Sequence, residues 1–186
     1  MFSAEINKAD FLDIRDIFKD KYPSLHKAVG KCNSIMNNLK KEIGKGNYYQ
    51  REEITDFYYP IKRIITLMEP WLIAEKDHED YEKVMEFYFN LITFTKISDF
   101  YDEHYVTSIE VRDRDMIFKL YCVDSSYLLN QALDRGKSGM FFSATLTPLD
   151  YHMDLLGGNK DDYFIRLSSP FPKENLCLMI RDDIST

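Results

Sequence analysis

The apolar residues of this chain change their period once, close to residue 100, and that change limits the fold more than any other feature. Up to there they recur at helical spacing. Leu25, Ala28, Val29, Cys32, Ile35, Met36, Leu39 and Ile43 fall at i, i+3, i+4, i+7. Pro23 suits a first turn, Gly44 a helix end, and Lys40 and Lys41 the negative end of the helix dipole. A helix over residues 24–43 follows. A second stretch, 3–19, reads as a helix capped by Ser3 and carrying Ile6, Ile14, Ile17 and Phe18. A third, from about Glu52 to Ala74, contains Pro60 and Pro70, which predict kinks or two shorter helices. A fourth runs from about Glu79 to Lys96. Gly44 to Asn47 reads as a turn. After residue 104 the spacing becomes two: Tyr105–Val111 and Met116–Cys122 alternate around Arg112-Asp113-Arg114-Asp115, which predicts a β-hairpin.

Beyond the hairpin the pattern is that of alternating strands and helices. Asp124 caps a helix over 126–135. Gly139-Met140-Phe141-Phe142, Tyr163–Leu167 and Leu176–Ile180 are short continuous apolar runs, expected as strands buried on both faces. Pro148 opens a helix to about Leu156, ended by Gly157-Gly158. The fold class is α+β and mainly helical. Three strands in about 65 residues are few for a self-sufficient doubly wound sheet, so this part reads as a piece of something larger.

Charge is unevenly placed. The net charge of −7 argues against a free-standing nucleic-acid binder. Yet residues 19–51 hold eight Lys and Arg against two carboxylates, while 75–104 hold three against nine. Lys27, Lys31, Ser34, Asn38, Lys41 and Lys45 follow steps of four, three, four, three and four, so they share one helix face, away from the apolar stripe. Such a row either tracks a phosphate backbone or is an ordinary solvated face. Three cysteines, 90 and 55 residues apart and without a C-x-x-C, suggest buried thiols in a reducing compartment. The start of the chain lacks a secretory pattern, and no apolar run approaches the ~18 residues of a membrane span. A cytoplasmic protein with no membrane partner is expected.

Most chemical motifs dissolve on inspection. Gly136-Lys137-Ser138 looks like the tail of a phosphate-binding loop, but the position five residues before Gly136 is Gln131, and a helix precedes the tripeptide where a strand should. The acidic and imidazole clusters at Asp77–Asp80 and Asp99–His104 match no metal motif and suit helix ends. The string Phe141-Phe142-Ser143-Ala144-Thr145-Leu146-Thr147-Pro148-Leu149-Asp150 is more specific. A strand expected to be buried runs into small hydroxyl residues and then a helix start. That places Ser143, Thr145 and Thr147 at the carboxyl edge of a sheet, where ligands bind.

That string resembles motif III of superfamily 2 DNA helicases of the XPD/DinG type. Lys96–Tyr105 resembles the segment leaving their helical insertion, Leu120–Ser125 their strand into the next helix, and Ser169-Pro170-Phe171-Pro172 the element after motif III. The resemblance implies a helical arch-type domain over 1–115, a return to the first motor domain over 116–150, and entry into the second over 151–186. The last two would form a partial RecA-like α/β segment. It implies ATP and Mg²⁺ as cofactors of the parent, bound mainly outside this chain. Single-stranded DNA and the remaining motor domains of the same polypeptide would be its partners. Ser143, Ala144 and Thr145 would couple nucleotide state to DNA grip, and Thr147, Lys27, Lys31 and Lys41 would bind nucleic acid. The chain lacks the phosphate loop, the acidic box and the arginine-finger motif, so alone it is expected to be inactive. The alternative is a non-catalytic helical module that binds a protein partner through its aromatic and Met-rich surface.

Overall fold

The computed structural model describes residues 2–113, 115–159, 161–168, 170–175 and 177. It is α+β and mainly helical. Strand β1 (Ala4–Asn7) leads into α1 (Lys8–Ile17) and α2 (Pro23–Ile43). Strand β2 (Gly46–Gln50) precedes α3 (Thr55–Ala74) and α4 (Tyr81–Ser98). The hairpin β3 (Tyr105–Val111) and β4 (Met116–Cys122) follows, then α5 (Ser126–Leu133) and α6 (Leu149–Leu155).

The four strands form one antiparallel sheet in the order β1-β4-β3-β2. Alternation sorts its two faces. Tyr105, Thr107, Ile109 and Val111 of β3 are buried with Met116, Phe118 and Leu120 of β4. Helices α1 to α4 supply the other half of that core through Phe11, Val29, Met36, Ile64, Leu91 and Phe94. Phe57 of α3 meets Phe118 with ring centroids 4.9 Å apart. At roughly 1.5–3 kcal/mol for each large apolar side chain withdrawn from water, this interface dominates the stability of the molecule.

Two local expectations give way to this packing, and of the two outcomes expected from the prolines the split into shorter helices does not occur. The start of the chain is a strand, and the helix begins only at Lys8. Its cap is Asn7, whose side chain accepts from the Asp10 N–H at 2.9 Å. Ser3 instead accepts from the Cys122 N–H at 3.0 Å and so extends the β1–β4 pairing. Residues 46–50, expected in part as a turn, are edge strand β2. Both prolines lie inside a single helix, α3. Each interior proline costs about 3 kcal/mol. Phe57, Ile61, Ile64, Met68 and Trp71, all buried from the same helix, outweigh two such penalties.

The expected strands at 139–142 and 163–167 do not form. Met140, Phe142, Ile165 and Leu167 are each more than four-fifths exposed. A strand buried on both faces needs a hydrogen-bonded neighbour and a covering layer, and neither segment has one. The run at 176–180, apart from Cys177, lies outside the described residues, as does Ser169. Helices α5 and α6 do form. They meet each other at Gly157, whose carbonyl accepts from Asn130 Nδ2 at 2.8 Å. Neither packs extensively against another element. Asp124 accepts from the Ser126 N–H at 2.9 Å, as its position ahead of a helix suggests.

Candidate nucleic-acid interface and motif loop

Helix α2 buries Leu25, Ala28, Val29, Cys32 and Met36 against the core, which fixes its opposite face outward. Lys27, Lys31, Ser34, Asn38 and Lys41 all lie on that outward face, with Lys45 just past the helix end. From Lys27 to Lys41 the row is about 21 Å long. The lysines are not equivalent. Lys40, off the row, donates to the carbonyl oxygens of Arg112 and Asp113, each at 3.0 Å, and Lys45 pairs with the Asp113 carboxylate. Those two tie the helix end to the hairpin turn. Lys27, Lys31 and Lys41 make no ion pair or hydrogen bond with the described residues. Their charge is uncompensated by a direct partner, as a phosphate-binding row requires and as a structural ion-pair network does not.

The row runs toward β2, the sheet edge. Tyr48 stands opposite Ile109, which is buried, so it shares the face on which α2 lies. Tyr49 stands opposite Ser108 on the outer face. Because β2 has no outer neighbour, Tyr48 is 42% and Tyr49 64% exposed. Sequence reasoning passes over both, although two adjacent tyrosines beside a basic run are visible in it. An open cleft of about 380 Å³ lies nearby, between α2 and α3. Ile35, Leu39 and Ile109 line it together with the carboxylates of Glu42, Glu53 and Asp56. Its carboxylates repel phosphate.

The motif loop is elsewhere. Ser143, Ala144, Thr145 and Thr147 are all exposed. The loop is folded on itself: Ser143 Oγ accepts from the Thr145 N–H at 3.2 Å and lies 3.2 Å from Thr145 Oγ1, and the Thr147 N–H donates to the Thr145 carbonyl at 2.8 Å. The hydroxyls of Ser143 and Thr145 are thus brought together by the local turn, with Thr147 beside them. All of them face solvent, and among the described residues no hydrogen bond joins them to the lysine row.

Other reactive groups are held in structural roles. Cys32 is buried and its thiol is pushed up to about 12 by desolvation. Cys122 Sγ donates to the Asp124 carbonyl at 3.2 Å. His104 Nδ1 lies 3.1 Å from Asp102 Oδ2. That hydrogen bond raises its pKa against the opposing effect of desolvation. The His104 ring stacks on Tyr127 with centroids 6.3 Å apart. Asp124 is held below the usual carboxylate range by its bonds to Ser126. His78 accepts from the Asp80 N–H at 3.1 Å, a turn contact. Among the described residues no group of three or more His, Cys, Asp or Glu side chains is arranged to hold a metal ion, and no helix is long and apolar enough to cross a membrane. Comparison of the chain with protein-family models and with curated proteins finds no match.

Proposed function

We propose that the chain is part of an ATP-dependent DNA helicase of the XPD/DinG type. In this reading the arch-type domain that guides single-stranded DNA runs past the expected 1–115 to the end of β4 at Cys122, since β4 pairs with β1 and β3, and Ser143, Ala144 and Thr145 couple nucleotide turnover to unwinding. The observation that carries the reading is the string Phe141–Asp150. Its strand-like half stands exposed and unpaired, with Tyr163, Ile165 and Leu167 exposed likewise. Apolar runs of this kind are sheet segments whose neighbours are supplied by other parts of a polypeptide. The lysine row of α2 supports a role in holding the DNA backbone, together with Thr147 at the motif loop. The three free cysteines suit the reducing cytoplasm in which such an enzyme works.

ATP and Mg²⁺ belong to the parent enzyme. Gly136-Lys137-Ser138 does not fit the triphosphate: it follows α5 and lacks the loop geometry, so no step of hydrolysis is assigned to it. The purified chain should release no phosphate from ATP above a protein-free control, with or without single-stranded DNA.

The binding role is tested by replacing Lys27, Lys31 and Lys41 together by Glu. Removing one phosphate contact lowers the salt slope of single-strand binding by about 0.7, so the triple variant should bind more weakly with a slope flatter by about two units. Unchanged affinity and slope would make the row a solvated face. Reading the frame upstream of Met1 tests the family: a phosphate loop and an acidic box should be encoded there, and their absence would end the helicase reading. The same exposed apolar tail favours one other function, a protein-binding module. That reading gains if the upstream frame holds no motor motifs.

A further inference from the structure

We infer that edge strand β2 is a stacking platform for the bases of single-stranded nucleic acid, with Tyr48 and Tyr49 as the stacking side chains. The inference rests on the single-strand reading of the lysine row and adds to it what holds the bases.

A charged row alone grips phosphates and leaves the bases in water. Sequence-tolerant binders of single strands add aromatic side chains beside the basic track, because every base has a π face to stack. The α2–β2 junction supplies both parts in order. Lys41 lies in the last turn of α2, Lys45 follows the Gly44 cap, and Tyr48 and Tyr49 follow Lys45 on the strand. Arg51 stands just beyond β2 and is exposed.

The placement of the two rings favours this use over a structural one. Neither Tyr48 nor Tyr49 forms a hydrogen bond or a ring contact with the described residues, whereas Tyr22, Tyr101 and Tyr105 each do. The edge position keeps both rings open, Tyr48 on the helix-covered face of the sheet and Tyr49 on the outer face. A strand leaving the row at Lys41, the last of its unpaired lysines, next reaches the β2 edge, where Tyr48 and Tyr49 offer one ring on each face. Selectivity against double-stranded DNA follows, because a base inside a duplex already has both faces covered by its stacked neighbours.

The test uses the full chain and two probes: a fluorescein-labelled oligothymidylate followed by anisotropy, and an oligonucleotide carrying 2-aminopurine, whose emission falls on stacking. Tyr48→Leu with Tyr49→Leu keeps apolar bulk but removes the flat rings, and circular dichroism checks its fold. Stacking on an aromatic ring is worth enough that this variant should lose about tenfold or more in affinity, with an unchanged salt slope and no 2-aminopurine quench. Tyr48→Phe with Tyr49→Phe should restore both. If the Leu variant binds and quenches like the parent chain while the Lys→Glu variant loses its slope, the platform is wrong and the lysine track stands. If the unaltered chain shows no salt-dependent binding to either probe, the single-strand reading falls and the platform with it. Binding of an extended peptide at β2 with no loss of single-strand affinity in the Leu variant would also overturn the proposal.

Discussion

Phe118 and Phe142 show how differently two parts of one chain treat the same side chain. Phe118 sits in β4, flanked by β1 and β3 and covered by Phe57 from α3, and is 1% exposed. Phe142 ends an equally apolar run and is 88% exposed. The segment through Cys122 closes a core because every strand in it has a neighbour and every helix a sheet or helix to cover. The segment after it has the apolar residues without the neighbours. Hydrophobicity marks what can be buried, and the supply of hydrogen-bonding partners decides what is.

Paired substitutions sharpen the contrast. Phe118→Ala should cost about 3–5 kcal/mol in denaturant unfolding, the usual range for a fully buried Phe. Phe142→Ala should stay within about 0.5 kcal/mol. Equal losses at the two sites would mean that the tail has a core of its own. A smaller effect is expected at a tight approach to backbone in the described part of the tail. Gly157 has φ +74°, and a Cβ there would lie 2.5 Å from the Ser126 carbonyl oxygen. Gly157→Ala should therefore break the Asn130–Gly157 hydrogen bond and separate α5 from α6, at a cost of about 1–2 kcal/mol to that local pairing. The unfolding midpoint of the core should not move. Nuclear magnetic resonance of the Asn130 side-chain amide reads the first effect and thermal circular dichroism the second.

The smallest effect lies where the two regions touch, at His104 and Tyr127. Asp102 raises the His104 pKa above its ordinary 6.5, with Asp124 and Glu103 adding to the field. A raised folded value means that the charged pair contributes fully below pH 6.5 and fades as pH rises through the folded value. Titration of the His104 ring protons should give a midpoint above 6.5, and Asp102→Asn should bring it down. A midpoint at or below the ordinary value would remove the His104–Asp102 pair from the account.

The helical half of the fold is legible because α2 and α4 carry several turns of consistent spacing, and the hairpin because β3 and β4 alternate cleanly. Strands β1 and β2 are not. They have four and five residues, and their partners lie far along the chain, as in the pairing of Ala4 with Leu120 and Tyr48 with Ile109. Local periodicity carries no information about such a partner. That the prolines of α3 do not split it is hidden for the same reason, since the packing that offsets them comes from other elements. In the candidate site the exposed lysine face can be read from spacing alone. The openness of Tyr48 and Tyr49 cannot, because an edge strand is defined by the neighbour it lacks.

Hydrogen exchange followed by mass spectrometry, on the full chain at a concentration where it sediments as a monomer, tests the central claim most directly. Amides of α2, α3, β3 and β4 should exchange slowly, at rates set by global unfolding. Those of residues 139–147 and 161–168 should exchange close to the rate of an unprotected chain, as sheet segments without neighbours must. If the amides of 139–147 and 161–168 were as slow as those of Tyr105–Cys122, the tail would complete its own fold, and the reading of this chain as part of a larger motor would lose its structural support.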